Sequence, residues 1–149
     1  MTPLTEAADA VTSAINAQNW GSHVFTARRK WLPVWILKDI KNVQVIVAPV
    51  SDSTIRETRH THTHNIRVDI GVLRKLSRAD LETEEIDPLA DLADSIAEYF
   101  RTGGDGGRSP RVGSFAVVSV LHDPIVAREH LDSHSQFTSV IQLSLTKVS

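Results

Sequence analysis

Three histidines at alternate positions, His60, His62 and His64, are the residues in this chain best suited to chemistry. Side chains two residues apart on a β-strand point to the same face, so two of these imidazoles could bind one metal ion. Most metals need a further ligand, and the candidates are the later histidines His122, His130 and His134. The alternative is a strand surface that faces another subunit or solvent. We favour the surface and predict neither metal nor cofactor, with His60, His62 and His64 as candidate ligands if a metal does bind.

The histidines belong to a segment in which two classes of side chain alternate strictly. From position 60 to 72 the even positions are histidine, isoleucine or valine, and the odd positions from 59 to 69 are polar. This period predicts a strand with one buried face. We therefore predict one long strand between Thr54 and Leu76, with an amphipathic helix after it. The histidines would lie on the core side, where the strand extends beyond its core and suits a subunit interface.

A second cluster interleaves cations with tryptophans: Arg28, Arg29, Lys30, Trp31 and Trp35. Sites for single-stranded nucleic acid combine such residues. No further nucleic-acid-binding motif accompanies the cluster, and the chain has a net charge of -2. We predict instead a strand end and a loop whose tryptophans pack against the core or a neighbouring subunit, without specific nucleic-acid binding.

The motifs of common catalytic sites are missing from the sequence. The glycine-rich segment 103–110 lacks the Gly-Lys-Ser/Thr ending of a P-loop and precedes a strand rather than a helix. There is no Gly-X-Ser-X-Gly motif and no cysteine, and the neighbours His122 and Asp123 are weak evidence for acid–base chemistry. We predict a protein that is not an enzyme. A small histidine-ligated metal protein or enzyme is the alternative from a different class.

Length and composition favour one domain over residues 1–149, because 149 residues with 41% hydrophobic residues can build a modest core. The near balance of 16 Lys and Arg against 18 Asp and Glu gives no general attraction to nucleic acid or an anionic membrane. The first eighteen residues lack Lys and Arg and a continuous apolar run, so we expect no signal peptide, and no apolar run is long enough to span a bilayer.

The elements predicted along the chain have the order α-β-β-β-α-β-β, an α+β domain with helices packed on one face of a mainly antiparallel sheet. The first helix should be capped by Thr2 and end near Asn19, and the second should begin at Asp87 and Pro88. The predicted strands are 23–29, 43–48, the long strand, 115–121 as a central strand, and 137–145. Residues 124–131 fit a short helix or a connection. The segment 102–113 holds five of the seven glycines and is predicted to be a flexible loop.

The order of elements and several local patterns resemble the tail terminator, or tail completion, proteins of long-tailed bacteriophages and related head–tail joining proteins. The resemblance lies in pattern and arrangement, since none of the pieces is a diagnostic motif. The matching segments are 25–49 (FTARRKWLPVWILKDIKNVQVIVAP), 57–76 (ETRHTHTHNIRVDIGVLRKL), 86–100 (IDPLADLADSIAEYF) and 137–148 (FTSVIQLSLTKV).

This resemblance implies a virion structural protein that forms a ring, expected to be hexameric, on the end of the tail tube. The ring would end tail polymerisation and present a surface for head–tail joining. The implied partners are further copies of the chain, the tail tube protein and a head–tail connector or neck protein, with the virion as location and the host cytoplasm as place of assembly. The runner-up is another neck protein. The candidate interface residues are the cations, tryptophans and histidines singled out above and nearby: Arg28, Arg29, Trp31, Trp35, Arg59, His60, His62, His64, Arg108 and Arg111.

Overall fold

The structure, a computed structural model, describes residues 2–31, 42–76, 83–102, 111–134 and 136–148. These ranges form three helices and one six-stranded, curled sheet in a single domain. The α+β class with a mainly antiparallel sheet was predicted, whereas the predicted order contained one strand fewer. The elements are α1 Pro3–Asn16, β1 Arg28–Arg29, β2 Gln44–Arg56, β3 His62–Lys75, α2 Thr83–Thr102, β4 Arg111–Val112, β5 Phe115–His122, α3 Arg128–His134 and β6 Gln136–Val148. None of the described helices is both long and apolar enough to cross a membrane.

The sheet has the strand order β1-β2-β3-β6-β5-β4. All neighbours are antiparallel except β1 and β2, which are parallel. The centre of the sheet is the long pairing of β3 with β6, which runs from Thr63 opposite Val148 to Lys75 opposite Gln136. The short strands β1 and β4 therefore lie at the two opposite edges.

The main core lies between one face of the sheet, here called the inner face, and helices α1 and α2. Helix α1 packs against β2 and β3 and also contacts both edge strands, so the sheet curls around it. Helix α2 packs against β5 and β6. The outer face also buries side chains near one end of the sheet, namely Ile46, Ala48, Leu73 and Thr138.

Both long helices bury the apolar stripes expected from their sequences. In α1 the Thr2 hydroxyl accepts from the Thr5 amide, and Pro3 occupies the first turn, as predicted. In α2 the stripe Leu89, Leu92, Ala93, Ile96, Ala97 and Phe100 is fully or almost fully buried. The predicted start of α2 is wrong, because the helix begins at Thr83 and includes Pro88. A proline inside a helix lacks an amide hydrogen to donate and its ring crowds the carbonyl four residues earlier. Only the first turn of α2 precedes Pro88 by that distance, so the rest of the helix is not disturbed.

The predicted long strand is in fact a hairpin. Strand β2 continues past Pro49 to Arg56, and the chain then turns and returns as β3 from His62. The alternation is correct within β3, where Ile66, Val68 and Ile70 are buried. Alternation alone cannot reveal the turn, because both the turn and the exposed ends of the two strands consist mostly of polar residues.

The edges of the sheet also differ from the prediction. The first strand is only two residues long, and β5 is not central, because the described strand beyond it, β4, covers only Phe115 and Ala116. Conversely, β3 does not project unpaired: β2 pairs with it as far as His62, and β6 as far as Thr63. In the part of the chain that the structure describes, the edge near the hairpin that has no neighbouring strand is that of β2.

Two β-bulges lie on one row across the sheet. The register shifts between Pro49 and Ser51 in β2, and between Val117 and Ser119 in β5. The two are on one row because Arg67, opposite Ser51, is itself opposite Ser144, the partner of Ser119. A bulge bends its strand and increases the local twist, so this row is where the sheet bends.

Helix α3 and strand β4 bear on the predictions for two segments, 124–131 and 102–113. The ambiguous segment 124–131 contains the start of α3, at Arg128, and its His130 hydrogen-bonds Thr138 of β6 at 2.7 Å. The predicted loop 102–113 is shorter than expected, because Thr102 still belongs to α2 and residues 111–112 form β4. Residues 103–110 of that loop lie outside the described ranges.

Candidate assembly surface

The most exposed regular structure is the end of the β2–β3 hairpin, residues 50–67, here called the hairpin arm. Every β2 residue from Val50 to Arg56 is exposed, whereas the five residues from Val45 to Pro49 are buried. Among the arm residues, Ile55 exposes 50% of its surface. Side chains that contribute nothing to a core and yet sit on ordered strands are available to contact another molecule.

The tip of the arm is an ordered turn with basic side chains on it. Glu57 donates its amide to the Thr61 carbonyl at 3.0 Å, and the hydroxyls of Thr58 and Thr61 lie 2.7 Å apart. Two predicted interface residues, Arg59 and His60, are exposed in this turn. The tip is therefore an ordered turn that exposes Arg59 and His60 rather than a disordered loop.

The three predicted histidines do not form one ladder. His60 lies in the turn, while His62 and His64 lie on β3. On β3, His64 is half-buried and has the same parity as the core residue Ile66, so the prediction that it faces the core side is confirmed for this residue. The ladder prediction failed because the turn interrupts the strand between His60 and His62.

His64 makes the principal polar cluster of the arm. Its Nδ1 lies 3.2 Å from both carboxylate oxygens of Asp52 and 3.2 Å from the hydroxyl of Thr54. Thr54 is directly opposite His64 in the sheet, and Asp52 is one step along the same face. A protonated His64 would form an ion pair with Asp52, and the neutral ring can donate one hydrogen bond to it.

This cluster has the residue types of a metal site but not the number of ligands. Within the described ranges no three His, Cys, Asp or Glu side chains come together in a way that could hold an ion. Tetrahedral sites need three or four protein ligands. The arrangement supports a contact surface in which Asp52 orients the imidazole of His64.

The first predicted basic cluster lies at the β1 edge and is tied to α1. The Nε of Arg29 donates to Asp9 of α1 at 2.6 Å, and its guanidinium lies 5.7 Å from the ring centre of Trp31. Trp31 is 55% exposed and Arg28 is exposed. An exposed tryptophan held by a cation is well suited to a protein contact. Trp35 lies outside the described residues.

The second predicted basic site lies at the opposite edge. Arg111 of β4 is exposed and donates to the Ser114 carbonyl at 3.1 Å. Because α1 contacts both β1 and β4, the curled sheet brings Arg29 and Arg111 to the two sides of one helix. Arg108 lies outside the described residues.

Sequence reasoning missed an exposed apolar patch on β5 and the segment after it. Val118 is 63% exposed, Leu121 53% and Ile125 55%. Val118 is the extra residue of the β5 bulge and, with Arg67 and Ser144, lines a shallow cavity of about 190 Å³. The signal was present in the apolar run 115–121, but it was interpreted as a strand buried on both faces. These side chains are exposed because most of β5 lies near the edge of the sheet, a position that cannot be inferred from the sequence.

His122 is the last residue of β5. Its Nε2 hydrogen-bonds the hydroxyl of Ser139, which is fully buried. Burial lowers the pKa of His122 below its usual value; the carboxylate of Asp94 opposes this effect and the guanidinium of Arg101 adds to it. The neutral imidazole is therefore the form that the folded protein favours, which suits a packing role at this position.

Comparison with known proteins gives no relative: no family model matches the chain, and no curated protein matches its sequence.

Proposed function

We propose that this protein is a non-enzymatic assembly subunit, a tail terminator that forms a ring on the end of a phage tail tube. The ring ends polymerisation of the tube and provides the surface for head–tail joining. The proposal combines the resemblance of four segments to that family with a fold whose exposed, ordered surfaces are suited to contacts between proteins.

The hairpin arm is the observation that supports this function most directly. It extends β2 by seven exposed residues beyond the buried part of the strand. Those residues are mostly polar, so they are stable in water in the free subunit, and their ordered backbone needs little further ordering on contact. An arm of this kind can reach a neighbouring subunit or the tube.

A ring of one polarity requires two different, complementary surfaces on each subunit. The two edges of the sheet are candidates for these surfaces: Arg28 and Arg29 form β1 and Trp31 follows them, whereas Val118 and Leu121 lie on β5 near the β4 edge. The surface at β1 is basic and aromatic, whereas the other combines the apolar Val118 and Leu121 with the exposed Arg111 of β4. Such a pair favours head-to-tail contacts over contacts between identical surfaces.

Adding the purified protein, made without a histidine tag, to growing tail tubes tests the proposal. We expect a ring at one end of the tubes by electron microscopy and tubes that no longer lengthen. The protein should also be present in purified virions. A subunit that is absent from virions and stays monomeric both alone and with tubes would contradict the proposal.

The same experiment separates the terminator from a neck protein, the runner-up in the same class. A neck protein binds the finished tail or the head connector and leaves tube length unchanged. Metal analysis of the untagged protein tests the remaining alternative. A near-stoichiometric transition metal that is lost in the His62→Gln/His64→Gln variant would favour a metal protein.

A further inference from the structure

The edge of β2 along the hairpin arm has no neighbouring strand among those that the structure describes. Within the described ranges, β1 pairs with β2 at Ile46 and Val47, and no strand pairs with the same side of β2 from Val50 to Arg56. An open edge presents unpaired amide and carbonyl groups and is a template for pairing with another chain. The side chains along this edge determine which partner strand can pair with it.

The pairing pattern shows which backbone groups point outward. Glu57 donates to Thr61 on the β3 side. Residues of a strand alternate in the side to which their backbone groups point, so Ser53 and Ile55 also bond β3, while Asp52, Thr54 and Arg56 point to the open edge. On the other side of the bulge, the carbonyl of Val47 accepts from Lys30, which places it on the open side too.

Self-complementary charge identifies the partner. Asp52 and Arg56 lie on the same face, two positions before and two positions after Thr54. We propose that the β2 edges of two copies of this chain pair antiparallel about a two-fold axis at Thr54. Asp52 of each copy then lies opposite Arg56 of the partner subunit, and Ser53 lies opposite the partner's Ile55.

Alternative registers of this two-fold pairing are less favourable. The outward-pointing residues must face one another for their backbone groups to bond, which limits the centre of symmetry to residues 52 to 56. Centring on residue 52 or residue 56 places Asp52 or Arg56 against its own copy, a like-charge contact. A centre at residue 53 places Asp52 opposite Thr54 of the other copy, and a centre at residue 55 places Arg56 opposite it, so neither register pairs opposite charges. Only the centre at Thr54 places opposite charges face to face on both sides.

This contact goes beyond the proposed function and does not depend on it. A two-fold contact is closed, whereas a ring of one polarity grows by head-to-tail contacts. The two-fold pair therefore belongs to the free subunit, where it covers an edge that would otherwise invite aggregation. The paired segment is short, so the dimer should be weak and reversible.

A charge exchange tests the pairing in solution. Asp52→Arg and Arg56→Asp should each weaken self-association, measured by sedimentation equilibrium, by about tenfold, since two symmetry-related contacts change together. The double variant Asp52→Arg/Arg56→Asp restores opposite charges across the axis and should recover most of the wild-type association. A double variant as weak as the single variants, with all three folded by circular dichroism, would overturn the proposal.

An engineered cysteine gives an independent test, because the natural chain has none. Thr54→Cys places one thiol of each copy next to the axis, so mild oxidation of a concentrated sample should yield a disulfide-linked dimer. Ile55→Cys is the matched control. Its thiols would be offset by two residues along the strands, about 8 Å apart, beyond disulfide reach. Equal cross-linking of the two variants, or none at Thr54→Cys, would show that the edges do not pair in this way.

Discussion

His122 connects β5, β6 and α2 through one side chain. It hydrogen-bonds the buried Ser139 of β6, and Asp94 and Arg101 of α2 act on its charge. Because burial lowers its pKa, the folded protein resists protonation at this site more than the unfolded chain does. The stability that His122 contributes is thus present at neutral pH and is lost as the pH falls below its ordinary value of about 6.5.

We expect His122→Gln to flatten the acid side of the stability profile. Wild-type melting temperature should fall between about pH 7 and pH 5, and the variant should lose less over the same range because one proton-binding difference is gone. Glutamine can still hydrogen-bond Ser139. His60→Gln, in the exposed turn, serves as the matched control for the substitution itself. Parallel profiles for His122→Gln and wild type would contradict this assignment.

Two glycines with positive φ provide a matched comparison of backbone strain and packing. Gly113, between β4 and β5, has φ +59°, and a Cβ there would lie 3.2 Å from the Cβ of Ala10 in α1. Gly21 has φ +72° with open space around it. Gly21→Ala should cost about 1–2 kcal/mol of folding free energy from the left-handed conformation alone. Gly113→Ala should cost more, because α1 must also shift. Urea unfolding of both variants measures the difference, and equal costs would show that α1 yields freely.

Among the elements, α2 provides the clearest link from sequence to stability. Its buried stripe includes Ile96, which is fully buried, next to the exposed Ser95. Ile96→Ala should destabilise the protein by about 2–5 kcal/mol, the range for truncating a buried aliphatic side chain. Ser95→Ala should stay within about 0.5 kcal/mol of the wild type. A small effect at Ile96 would place the helix outside the core.

The same elements show what the sequence could and could not predict. The alternation of β3 was identified correctly, and the apolar stripes of α1 and α2 and the alternation of β6 are equally visible in the sequence, because each is a local consequence of burying one face. The turn between β2 and β3 was missed, since exposed strand ends and turns share polar residues. The edge position of β5 was also missed, because strand order depends on pairing between distant segments. For the same reason the pairing of Asp52 with His64 across the hairpin could not be predicted.

At the scale of the whole molecule, the body of the protein and its proposed assembly surfaces are separate. The core lies between the inner face of the sheet and helices α1 and α2, and the hairpin arm contributes Ile66 to it near the base. The exposed residues from Val50 to the turn add nothing to that core. Changes at the tip should therefore alter assembly without altering the fold.

We expect the double variant Arg59→Ala/His60→Ala to keep the wild-type melting temperature within a few degrees and to lose incorporation into tails. Removing a charged and a polar side chain from a contact surface weakens binding, whereas both are too exposed to support folding. Arg128→Ala/Glu129→Ala on α3 removes two exposed charged side chains away from the arm and should incorporate normally. Quantifying the protein in purified virions compares the variants, and normal incorporation of the tip variant would exclude the tip from the contact.

The bulge at Val50 shifts the alternation of β2 by one residue, so that even positions replace odd positions on the inner face. Before it, odd positions such as Val47 and Pro49 share a face with the core residues of β3; after it, Asp52 takes that face, opposite Ile66. Without the bulge, Val50 would pair regularly with β3, and Asp52 and Arg56 would exchange sides with Ile55 although the composition of the arm was unchanged. Which side chains each face of the arm presents to a neighbour is therefore decided by this one extra residue and not by the composition of the arm.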